Sequence, residues 1–240
     1  MKIKFISNLN NLENECILPT SCKKGIPEWF TKTSKLIDGY EDYRLDGFGS
    51  NYTVSTIKQC SPFLDSLISG YFIYLDADVN FIFDENDNVN MRWRIERTLI
   101  DNSDMQQHKL LPKPYEGHKE PFTYKWRNFW TIKTPKGYSC LFTHPLNRYD
   151  LPFITYSGIV DTDKYEIPVQ FPFSVLKSEE KSFILKKGTP LVQIIPFKRD
   201  DWNLEFEKFN ENEVSKNNYN FFSTIKTAYK TNFWTRKHYE

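Results

Sequence analysis

Between residues 121 and 197 the chain alternates short runs of β-branched and aromatic residues with proline, glycine, asparagine and aspartate. That composition suits a pleated surface folded by tight turns. Thr134-Pro135-Lys136-Gly137 predicts a turn between strands over 129–133 and 138–143. Residues 186–190, KKGTP, predict another between strands over 183–186 and 191–196. Leu191, Val192, Ile194 and Ile195 form a nearly unbroken apolar run, which predicts a strand covered on both faces.

A chain of 240 residues can hold one large β-rich domain. The expected organisation is a single domain over 1–240. It comprises an N-terminal elaboration (1–120) with a long loop over 101–120, a central β core (121–200) and a C-terminal helix (221–240). Hydrophobic residues make up only 39 %, but aromatics reach 17 %, and large rings bury a core of ordinary size with fewer residues. Thirty-two basic against 31 acidic side chains leave a net charge of +1, which gives no overall field for nucleic acid or an anionic membrane. The first ten residues lack the apolar stretch of an export signal, and no apolar run approaches a membrane span, so the chain is expected in the cytoplasm.

The four cysteines form no CxxC pair, and the four histidines fall into no HxH, HxD or HExxH spacing. Buried reduced thiols are expected, with Cys140 filling the core, and no metal-ligand set is predicted.

The remaining elements follow from local patterns. Residues 2–6 read as a first strand, and 27–37 as a short helix opened by Pro27. An irregular loop is predicted over 38–52, and a strand over 53–60. Ser61-Pro62 opens a second helix ending at Gly70. Residues 71–83 predict a strand pair, and 89–95 a strand returning after the turn at 84–88. Residues 199–209 fit one more strand or an excursion over the sheet edge. In 221–240, Phe222, Ile225, Tyr229 and Phe233 recur at helical spacing, with Arg236 and Lys237 on the other face and Trp234 beside them. These seven residues are candidates for binding, either to the chain's own sheet or to a neighbouring subunit. The fold expected is mainly β, an antiparallel sandwich or barrel with short N-terminal helices and a C-terminal helix.

Residues 157–169, SGIVDTDKYEIPV, and 183–197, FILKKGTPLVQIIPF, together resemble the centre of the dUTPase and dCTP-deaminase β fold. Gly158, Asp161, Asp163 and Tyr165 fall in the first segment, and Gly188 and Gln193 in the second. The resemblance implies that Asp161 activates water and Tyr165 stacks beneath a sugar, with magnesium on the nucleotide. The chain departs from that pattern in four places, one being that no Gly-rich arm follows at the C-terminus. Lys164 is an extra residue before Tyr165, Glu166 stands where the family has glycine, and PLNRYDLP at 145–152 replaces the Arg-Ser-Ser phosphate segment. A wider pattern includes PEWF, PFLDSLISGY, TPKGYSCLFTHPLN, GIVDTD and KKGTPLVQIIPFKRD. Over 27–200 it resembles a family of uncharacterised proteins from tailed phages and bacteria, which implies a viral origin and a place in the host cytoplasm or the virion.

Two function classes follow. One is a non-catalytic structural or binding protein of phage origin, without a cofactor, working through a protein partner or self-assembly. The alternative is a dUTPase-like nucleotide hydrolase or nucleotide-binding protein acting through Asp161 and Tyr165. The chain has no GxSxG elbow, no metal-ligand spacing and no phosphate loop, which favours the first.

Overall fold

The computed structural model describes residues 1–7, 16–41, 51–85, 88–102, 123–176, 180–208 and 228–240. Its first strands are β1 (Lys4–Ile6), β2 (Thr20–Ser21), β3 (Leu36–Glu41), β4 (Asn51–Ser55), β5 (Tyr71–Tyr74) and β6 (Val79–Phe83). Next come β7 (Val89–Arg92), β8 (Ile100–Asn102), β9 (Tyr124–Trp126), β10 (Thr131–Lys133) and β11 (Tyr138–Thr143). The last are β12 (Phe153–Thr155), β13 (Gly158–Val160), β14 (Phe171–Val175), β15 (Ser182–Leu185) and β16 (Pro190–Lys198). Among the described residues the α-helices are α1 (Glu28–Lys32), α2 (Ser61–Ile68) and α3 (Ala228–Asn232). The chain divides into two compact units. One comprises Met1–Gly25, Gly70–Arg199 and Glu240; the other comprises Ile26–Ser69 and Asp200–Tyr239.

In the larger unit a five-stranded antiparallel sheet, β13-β11-β16-β5-β2, faces a four-stranded one, β12-β14-β9-β8. Successive strand side chains point to opposite faces, so Phe171, Phe173 and Val175 all turn inward from β14. Phe171 stacks on Phe142 of the facing sheet at 5.5 Å, and Phe173 stacks on Trp126 at 3.6 Å. The Thr155 hydroxyl donates to the Leu191 carbonyl at 2.8 Å, a polar tie between the layers. Among the described residues no sheet closes on itself, so the arrangement is sandwich-like and mainly β. β16 lies between β11 and β5 in mid-sheet, and Leu191, Val192, Gln193 and Ile194 are all buried there.

The turns stand where proline and glycine predict them, with Gly137 at φ +86° and Gly188 at φ +87°. The strands they join, however, belong to different sheets. β10 pairs with β1 while β11 pairs with β13 and β16; β15 pairs with β6 while β16 pairs with β11 and β5. The expected pair within 71–83 is likewise divided, β5 going to one sheet and β6 to another. The geometry of the corners explains why. Leu75 N–H donates to Thr189 O at 2.9 Å and Gly188 N–H to Leu75 O at 2.8 Å. Thus β5-β6 and β15-β16 form one antiparallel ribbon that bends from sheet to sheet. Asp78 fastens the bend, accepting the Lys187 N–H at 2.7 Å and the Lys186 ammonium at 2.9 Å.

In the smaller unit the helix predicted over 27–37 stops at Lys32. Thr31 and Thr33 turn their hydroxyls back onto the carbonyls of Glu28 and Trp29, and Thr33 is already extended at ψ 131°. Lys58 closes the end, donating to the carbonyls of Phe30 and Thr31 at 2.6 and 2.9 Å. The β-rich residues after it form β3, paired with β4, where an irregular loop was expected from 38 onward. The strand predicted over 53–60 ends at Ser55, because the Thr56 hydroxyl accepts the Lys58 N–H and opens a 3-10 turn over Ile57–Gln59. At the C-terminus α3 has five residues and the chain from 233 onward is not helical; the start of the predicted 221–240 helix lies outside the described residues.

Candidate functional site

Asp161 and Asp163 leave β13 on a turn closed by the N–H groups of Lys164 and Tyr165, each donating to Asp161 O at 2.9 Å. Arg199, the residue after β16, reaches both carboxylates. It donates to Asp161 Oδ1 at 3.1 Å, to Asp163 Oδ1 at 3.0 Å and to Asp163 Oδ2 at 2.5 Å. The Ser139 hydroxyl donates to Asp161 Oδ1 at 2.6 Å, and Gly137 N–H to Asp163 Oδ2 at 2.8 Å. The result is a clasp across the ends of β11, β13 and β16. Asp161, the candidate water-activating residue, thus has Oδ1 committed to a hydroxyl and a guanidinium. Tyr165, its candidate partner, stands half-exposed in the same turn.

The Arg199 guanidinium, helped by the Gly137 N–H, holds the Asp163 carboxyl down at about 2. A carboxyl lowered on folding adds stability that is present above its unfolded value near about 4 and is lost as pH falls towards about 2. Asp163→Asn should therefore flatten the stability–pH curve, relative to the unmodified chain, over that interval. Urea unfolding at a series of acid pH values checks this; parallel curves for the two proteins would remove the carboxylate from the clasp.

At the other end of β11 lies a pocket of about 290 Å³, lined by His144, Arg148, Tyr149, Leu151, Phe153, Ile154, Thr155, Tyr156, Ser157 and Leu176. Arg148 is brought to its lining by the turn at 145–148, where Arg148 N–H donates to Pro145 O at 3.2 Å and Asn147 takes φ +59°. Proline early in a turn and asparagine in the left-handed region suit that geometry. Gln193, fully buried in β16, pins the turn by accepting the Leu146 N–H at 2.8 Å. Burial pushes His144 below its ordinary value. Its Nε2 donates to Arg148 O at 3.1 Å, which leaves Nδ1 to accept from Thr155 N–H at 3.4 Å, so the ring is neutral with both nitrogens engaged. Arg148 forks onto Asp150 with contacts of 2.8 Å, and the pair cancels its own charge. The pocket therefore offers aromatic and aliphatic walls with a neutral polar rim, which suits an apolar or aromatic side chain.

Cys140 is fully buried in β11 and takes a hydrogen bond from the Thr162 hydroxyl; burial pushes its thiol up to about 11, the state of an inert core thiol. Among the described residues no cluster of histidine, cysteine and carboxylate side chains forms a metal-ligand set.

Two stretches of the smaller unit carry the remaining candidates. Trp234 Nε1 and the Lys237 ammonium both donate to Asp65 Oδ2, at 2.8 and 2.9 Å, and so seat the tail on α2 of its own chain. Tyr229 and Phe233 are half-exposed and Arg236 is exposed, while Phe222 and Ile225 lie outside the described residues. The second stretch is residues 200–208, which form neither helix nor strand. Trp202, Leu204 and Phe206 there are 90 %, 83 % and 87 % exposed, with Asn203 and Glu205 between them and Glu207 after. The sequence reading of 199–209 as one more strand or an excursion over the sheet edge did not mark these residues for binding. No protein-family model matches the chain and no curated protein does either.

Proposed function

We propose that this chain is a non-catalytic structural or binding component of an assembly of the kind tailed phages build, and that residues 200–208 are its contact element. The exposure of Trp202, Leu204 and Phe206 carries this reading. Scattered apolar residues at a surface are ordinary, but three in alternation along one short segment, each more than four-fifths exposed, form an exposed apolar edge. Such an edge is covered by a partner strand or groove. The resemblance of 27–200 to phage proteins supplies the setting. The clasp supports the same reading, because it engages Asp161 in tying strand ends together.

Quantitative mass spectrometry of purified particles from the phage encoding the chain should find it at a fixed ratio to the other particle proteins. A chain carrying Trp202→Ser, Leu204→Ser and Phe206→Ser in place of the natural one should fall at least about tenfold in that ratio, as expected when central aromatic anchors are removed. Absence of the natural chain from particles, or equal incorporation of the triple variant, would overturn the reading.

A further inference from the structure

The arm and the pocket each lack what the other provides. We propose that Trp202 of one copy seats in the pocket of a second copy, so that two reciprocal arms hold a two-fold dimer. This rests on the reading of residues 200–208 as the assembly contact and names its partner.

The arm is attached at the end of β16 remote from the pocket, and chain length limits its reach. Arg199 N–H donates to Gly137 O at 2.8 Å, so the arm leaves the sheet at the clasp end. Thr143 pairs with Gln193 and Tyr138 with Lys198, so β16 runs from the pocket towards the clasp, and the arm begins at its clasp end. The strand from Gly137 to His144 covers roughly 20 Å. Trp202, three residues beyond Arg199, can move at most about 11 Å from it even when fully extended.

The area suits a dimer. Two aromatic rings and a leucine bury roughly 500 Å². Counted with the receiving surface and taken twice for reciprocal arms, the total is about 2,000 Å², the upper part of the range for specific interfaces. The pocket walls, Phe153, Leu151 and Leu176 with Tyr156 at the rim, give an indole apolar contact on several sides. A two-fold arrangement uses the same surfaces on both copies and closes on itself.

The test is light scattering on the full-length chain after size exclusion, at a concentration of tens of micromolar. The unmodified protein should show twice the chain mass. Trp202→Ser, which removes an exposed side chain, and Ser157→Trp, which adds an indole to the pocket lining, should each raise the dimer dissociation constant at least about tenfold, with unchanged circular dichroism. Mixing the two variants should recover association, because the intact arm of one meets the intact pocket of the other. A monomeric unmodified chain overturns the proposal, as does a dimer that survives Trp202→Ser. A dimer lost with Trp202→Ser but kept by a folded Ser157→Trp places the arm elsewhere and overturns the seat. Should Ser157→Trp misfold, Ile154→Arg, which puts a charge into the same pocket, takes its place. A chain that enters particles through its arm yet is monomeric in isolation overturns the dimer and leaves the assembly reading standing.

Discussion

Replacing Gly70 with alanine is expected to cost at least about 4 kcal/mol, the range reserved for exceptional substitutions, or to leave no folded protein. Gly70 sits at φ +78°, and a Cβ there would lie 2.0 Å from the carbonyl oxygen of Ile194. The left-handed conformation alone costs an alanine roughly 1 kcal/mol or more. The contact is the larger difficulty, because the atom in the way is backbone in mid-sheet, with no rotamer to move it. Ile194 is registered against Phe142 on one side and Tyr71 on the other. Relief therefore means displacing β16 from two neighbours at once. Denaturant unfolding of Gly70→Ala measures the effect; a loss below about 1 kcal/mol, the average for any substitution, would show that β16 does not pass so close to this turn.

Trp126→Ala should cost about 3–5 kcal/mol, the range for removing a buried large aromatic. Trp126 is 1 % exposed, stacks on Phe173 at 3.6 Å and receives Phe153 edge-on at 5.2 Å. Its Nε1 donates to the Thr155 hydroxyl at 3.3 Å, and that hydroxyl donates onward to Leu191 of the facing sheet. The substitution leaves a cavity between β9, β12 and β14 and removes one link of the tie between the layers. Trp126→Phe should recover most of the loss and leave about 1 kcal/mol for the missing hydrogen bond. Urea unfolding with an unchanged slope is the measurement. A cost for Trp126→Ala under about 1 kcal/mol would mean that the four-stranded sheet lies outside the cooperative core.

The sequence made strand identity legible more readily than strand partnership. Runs such as 138–143 and 190–195 carry the β-branched and aromatic composition that any pleated surface needs, and Gly137 and Gly188 fix where the chain reverses. Which strands then pair is decided by burial across long separations, and no local residue encodes that. Hence β5 and β6 read as a pair although each belongs beside a strand more than a hundred residues later. The helix end at Lys32 was hidden for the same reason, since Lys58, which closes it, comes from a separate turn. At the candidate site, Asp161 and Asp163 stood out by the resemblance of 157–169 to the dUTPase fold, but Arg199 acquires meaning only when β11 and β16 are in register. The union of Trp234 with Asp65 spans 169 residues and left no local trace. The arm was half legible: 199–209 fits one more strand or an excursion over the sheet edge, while the exposure of Trp202, Leu204 and Phe206 depends on what the rest of the chain fails to cover.

The bent ribbon of β5-β6 with β15-β16 also sets an order of events during synthesis. Phe72 has no sheet partner on its β16 side until Gln193 has been made, and Phe81 has none on its β15 side until Phe183 has been made. β1 waits in the same way for β10. At ordinary translation rates the interval between β5 and β16 is on the order of ten seconds. Throughout it the emerging chain carries aromatic strands with open edges, the form most prone to pair with another nascent chain. Loop closure over such distances also makes refolding from denaturant slow compared with helical proteins of equal stability. Cool growth and slow induction, which thin the population of half-made chains, are therefore the conditions under which the intact sheet has time to close before neighbours meet.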